Sequence, residues 1–74
     1  MDTKYLIFTS VTFALRALNV MKNAGLSARL ERIKNIATLG GCGYGVAISE
    51  GNLEYALVLI ANEGIKVIDV IDDK

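Results

Sequence analysis

Apolar and polar positions along this chain fall into two alternating rhythms. The segments 4–9 ("KYLIFT") and 44–49 ("YGVAIS") are short and rich in β-branched and aromatic residues. In 26–33 ("LSARLERI") apolar Leu26, Ala28 and Leu30 alternate with polar neighbours, and 65–71 ("IKVIDVI") is again short and β-branched. These four runs predict strands. Between the first two, Val11, Ala14, Leu18 and Met21 recur at helical spacing over 11–24, with Ser10 in position to cap the first turn. The stretch 53–63 repeats the arrangement behind Asn52, with Leu53, Ala56, Leu57 and Ile60 turned inward.

The two helical stretches echo one another at an offset of 39 residues. Ser10 matches Ser49, Ala17 matches Ala56, Leu18 matches Leu57, Asn23 matches Asn62 and Gly25 matches Gly64. Each half therefore runs helix end, glycine, strand. A glycine just past a helix fits the left-handed position where a Cβ is penalised. The order βαβ followed by βαβ predicts one α+β domain over residues 1–74, a ferredoxin-like βαββαβ sandwich. Its four-stranded antiparallel sheet would carry two helices on one face. Right-handed crossovers leave a gap between the first two strands for the third, and put the fourth outside the first. Alternation offers Tyr5, Ile7, Val46 and Ile48 as one apolar face and Leu6, Phe8 and Ala47 as the other. A helix-free face that is also apolar predicts a homo-oligomer joined through the open sheet face.

Composition narrows the classes of function. The chain has 74 residues, of which 53% are hydrophobic, and eight basic residues balance eight acidic ones. With no basic cluster, a nucleic-acid partner is not expected. The apolar run 55–61 ("YALVLIA") is far shorter than the ~20 residues a membrane span needs. The start "MDTKYLIFTSVTFALRAL" does not read as a secretory signal, because Asp2 offsets Lys4 and Thr9, Ser10 and Thr12 break the apolar run. A cytoplasmic location is the expectation. A single cysteine cannot form an internal disulfide, and without histidine there is neither a Cys–His dyad nor a zinc site. No metal and no cofactor are expected.

The remaining chemistry centres on "GGCGYG", residues 40–45, which sets the lone Cys42 among four glycines. In the expected topology the connection over about 34–43 ends in Gly41-Cys42-Gly43. It lies on the same sheet edge as the start of the first helix, with Thr9, Ser10 and Thr12 around it. Helix N-termini present unpaired N–H donors and a partial positive charge. A thiol held near such an end ionises more easily, and the thiolate is the nucleophile. Cys42 is thus the candidate chemical residue, with Gly41, Gly43, Thr9 and Ser10 as candidate binding positions around it. Spacing is equally met by a turn cysteine of no consequence. The alternatives are then an oligomeric regulatory or assembly domain, or a small anion-binding domain. Lys34 is the one base near the loop. Arg29, Glu31 and Arg32 read as the charged outer positions of an edge strand. Glu50 and Glu54 flank the second helix start, and Asp69, Asp72 and Asp73 form a solvated end.

The length, the βαββαβ order and a lone Cys42-Gly43 leading into the third strand resemble the selenium/sulfur carrier protein-like family of small prokaryotic proteins. The resemblance spans essentially the whole chain, including Thr9-Ser10, "FALRALNVMKNAG" and "LEYALVLIANEGI". Two positions depart from it. The family often has serine just before the cysteine and arginine a few residues after, where this chain has Gly41 and Ile48. The resemblance implies a cytoplasmic carrier, more a carrier than a true enzyme. Its cysteine, here Cys42, would hold sulfur or selenium as a persulfide or perselenide, with Gly43 as structural companion. Its partners would be a chalcogen donor and an acceptor protein.

Overall fold

The structure is a computed structural model that describes residues 3–34 and 42–72. The connection 35–41, with Gly41 in it, and Asp73 lie outside the described residues. The elements are β1 (Thr3–Phe8), α1 (Val11–Asn23), β2 (Arg29–Lys34) and β3 (Cys42–Ser49). A 3₁₀ turn (Glu50–Asn52), α2 (Leu53–Asn62) and β4 (Asp69–Asp72) follow. The four strands form one sheet in the order β2-β3-β1-β4, with every neighbouring pair antiparallel. The third strand therefore fills the gap between the first two, and the fourth lies outside the first. This is an α+β architecture compatible with a ferredoxin-like arrangement. No helix among the described residues is long and apolar enough to cross a membrane.

Both helices pack on one face of the sheet. Leu6, Phe8, Val46 and Ile48 form a single core with Ala14, Ala17 and Met21 of α1 and with Ala56 and Ile60 of α2. Ala14, Ala17 and Ala56 are fully buried small residues of the helices, and Met21 and Ile60 are their large buried ones. Full burial of each such large apolar side chain is worth about 1.5–3 kcal/mol. Val11, expected to face inward, is exposed; in its place Ala17 joins Ala14 and Met21 in the buried stripe. Leu18, Leu53 and Leu57 are half-buried beside the core.

The sheet register corrects the expected faces. Leu6 pairs with Val46 and Lys4 with Ile48, so Val46 and Ile48 share the helix-covered face with Leu6 and Phe8. Tyr5 pairs with Ala47 and Ile7 with Gly45 on the opposite face. Side chains alternate within each strand as the pattern predicts, but the phase between strands depends on which residues pair, a property of tertiary contact. Two strands also begin later than the apolar pattern suggests. Residues 26–28 and 65–67 carry Leu26, Ala28, Ile65 and Val67 onto the core without entering the ladder, which starts at Arg29 and Asp69. Before β4, Ile68 already donates its N–H to the Ile7 carbonyl at 2.9 Å.

Both helices end alike. Gly25 and Gly64 adopt φ of +85° and +74°. At α1 the Gly25 N–H bonds to the Lys22 carbonyl and the Leu26 N–H to the Met21 carbonyl, both at 3.0 Å. At α2 Gly64 bonds to Ala61 and Ile65 to Ile60, again at 3.0 Å. This is the Schellman pattern, in which the chain reverses through a left-handed glycine and the next apolar residue folds back on the last turn. The helix starts differ. Ser10 has extended backbone and its Oγ accepts from the Phe13 N–H at 3.4 Å. Asn52 sits at φ −103° and ψ 0° after the 3₁₀ turn, and its side chain makes no cap hydrogen bond.

Candidate functional site

Cys42 is not in the loop, as the glycine-rich context suggested, but opens β3 opposite Lys34 of β2. The reason is local. Gly43 and Gly45 lie within a central strand and not in a turn, and Gly45 serves its packing. Two positions further on, Tyr44 pairs with Phe8, the last residue of β1. Thr9 and Ser10 leave β1 at that same edge and lead into α1. Thr9 is exposed, Ser10 is half-buried as the cap of α1, and Gly43 is buried opposite Ile33. The Phe13 N–H is taken by Ser10, while the N–H groups of Val11 and Thr12 have no acceptor within the helix, as at every helix start. The backbone thus brings the Cys42–Gly43 segment and the α1 start to one sheet edge.

The helix-free face of β3 carries only small residues: Gly43, Gly45 and Ala47 are all buried. A methyl group added at Gly45 would stand 3.0 Å from Ile33 Cγ1 and 3.2 Å from Ile7 Cδ1. The glycine therefore lets side chains from β2 and β1 close over the central strand, and Ile7 is fully buried. Among the described residues the large apolar side chains that remain exposed stand elsewhere: Val11, Phe13 and Leu15 on α1, Tyr55 and Val58 on α2, and Val70 on β4.

At the other end of β3 a cleft of about 430 Å³ opens between Thr3, Ser27, Ala28, Arg29, Ala47, Ile48, Ser49 and Asn52. Arg29 pairs with Ala47, and Ala47 with Tyr5, so these three residues lie side by side across the sheet on its helix-free face. The Arg29 Nε–H donates to Glu31 Oε2, an ion pair on the surface of the edge strand. That pairing, with Tyr5 also beside it, raises the arginine further above its usual range, so the group is cationic at every accessible pH. A second surface pair joins Lys4 of β1 to Asp72 of β4. Among the described residues no group of three or more metal-ligating side chains comes together.

Of the cleft residues, Thr3 and Ser27 have no part in the sequence reading, and Ala28, Arg29, Ala47, Ile48, Ser49 and Asn52 enter it only as strand, repeat or helix-start positions, never as a site. Their positions, from 3 to 52, are brought together only by the strand register, and no motif or spacing announces them. No protein family, curated protein or solved structure matches the chain.

Proposed function

We propose that this protein is a small sulfur or selenium carrier of ferredoxin-like fold, with Cys42 as the carrying residue. The observation that supports it is the register of β3 against β1. With Tyr44 opposite Phe8, the Cys42–Gly43 backbone shares a sheet edge with the start of α1. Unpaired N–H donors and the helix dipole favour an anion at that edge, and a loaded persulfide or perselenide is anionic. In the reaction, the Cys42 thiolate attacks the terminal chalcogen of a donor persulfide or perselenide. A bond from Sγ to that atom forms, the donor's S–S or S–Se bond breaks, and the donor leaves as a thiolate. Delivery to an acceptor thiolate is the same exchange in reverse, so one cysteine suffices and no outside oxidant or reductant enters.

The deciding experiment is intact mass after incubation with a persulfide or perselenide donor. A single adduct of one sulfur or selenium is expected on the wild-type chain and none on Cys42→Ser. An unmodified wild type, or the same adduct on both proteins, would defeat the carrier.

A second reading, an assembly module, is favoured by the exposed apolar side chains of the helices, from Val11 at 37% to Val58 at 57%. Self-association would then use the helix layer in place of the open sheet face, where Ile7 and Ala47 are already buried within one chain. Light scattering of Tyr55→Ser and Val58→Ser proteins checks this: a wild-type oligomer that these changes dissociate supports it, and a monomeric wild type rejects it.

A further inference from the structure

The cleft at the Ser49 end of β3 is separate from the cysteine edge. β3 runs eight residues from Cys42 to Ser49, so the two ends are about 24 Å apart at the rise of an extended strand. Four lining side chains carry uncharged hydrogen-bonding groups: Thr3, Ser27, Ser49 and Asn52. They come from the start of β1, the connection before β2, the end of β3 and the 3₁₀ turn, and none of the four side chains makes a hydrogen bond to another described residue. Among the described residues Arg29 is the only charged one in the lining, and Ala28, Ala47 and Ile48 give the cleft an apolar wall. Glu31 engages Arg29 through Nε and Tyr5 also lies beside the group; with five N–H donors in the guanidinium, donors remain for a planar, two-oxygen acceptor.

We propose that this cleft binds a small organic carboxylate that also carries a hydroxyl group. Its carboxylate lies against the Arg29 guanidinium, its hydroxyl meets the serine, threonine and asparagine side chains, and its carbon skeleton rests on Ala28, Ala47 and Ile48. Recognition of this kind combines one charge-assisted, forked contact with a few convergent neutral groups over an apolar wall. Glu31 competes for the same cation, and ligand binding must share or displace it. The two residues therefore have opposite effects, which a merely structural pair would not show.

The test uses the full ¹⁵N-labelled chain, with glycolate as probe, ethylene glycol as the uncharged analogue and inorganic phosphate as a different anion. Glycolate is expected to move the Ser27, Arg29 and Ser49 amides in a saturable way in the millimolar range, while ethylene glycol leaves them in place. Arg29→Gln should weaken glycolate binding by about tenfold or more, through loss of the forked charge-assisted contact. Glu31→Gln should tighten it roughly two- to fivefold by freeing the guanidinium at an exposed site. Cys42→Ser should leave it unchanged, so failure here and failure of the carrier proposal are told apart. The proposal is overturned if glycolate gives no saturable shift, if phosphate binds and glycolate does not, or if Arg29→Gln binds as well as wild type.

Discussion

The two βαβ halves of this chain end their helices alike and begin them differently. At the C-termini, Gly25 and Gly64 sit in the left-handed region and the same pair of hydrogen bonds follows at each. At the N-termini, α1 starts cleanly from Ser10, whereas α2 emerges from a 3₁₀ turn with an uncapped Asn52. The difference shows which parts of the repeat are physically obligatory. Each helix must reverse sharply so that Leu26 or Ile65 returns to the core, and only one backbone route does this cheaply. A helix start has several acceptable solutions, so the halves differ there, and so does the chemistry at the two sheet edges.

The comparison can be broken most forcefully in the core. Met21 and Ile60 are equivalent positions, each buried and each the acceptor of a Schellman bond. Met21→Ala and Ile60→Ala should each cost about 2–5 kcal/mol of stability in urea unfolding. Values far apart would show that the halves are not packed as equivalents. Next come the glycines. An added Cβ at Gly25 or Gly64 meets no atom within 4 Å, so the cost of Gly25→Ala or Gly64→Ala is conformational alone, about 1–2 kcal/mol at each. Equal losses sharpen the equivalence; a negligible loss at either site would mean the reversal does not need its glycine. The smallest effect separates the helix starts. Ser10→Ala should lose about 0.5–1 kcal/mol, the low end of the cap range given the 3.4 Å bond. Asn52→Ala should lose clearly less, because no cap bond is there to remove. Equal losses at the two sites would erase the distinction.

Local rules were legible in the sequence wherever one residue type answers one geometric demand. Gly25, Gly64 and the Ser10 cap follow from backbone chemistry, and the repeat then implies the strand order. What escaped was everything set by pairing. Leu6 and Val46 share a face only because they are register partners. Leu26 and Ile65 look like strand residues because they are apolar, yet they pack on the core ahead of the ladder. Cys42 looked like a loop residue because glycines suggest turns; Gly45 instead makes room for Ile33 and Ile7. The edge shared by Cys42 and the α1 start could be anticipated from topology. The cleft at the opposite edge could not, since Thr3, Ser27, Ser49 and Asn52 have no common pattern along the chain.

The central position of β3 has a consequence for amide exchange. It is paired along six positions with β1 and along six with β2, whereas β4 has four partners on one side only. Backbone amides so enclosed exchange with solvent only when the whole domain opens, while a short outer strand can fray by itself. Deuterium should therefore enter Asp69–Asp72 first and Tyr44–Ala47 last. The cysteine edge and the cleft lie at the two ends of this strand, beyond Tyr44–Ala47, where each residue has one partner strand, so both should open before its centre does.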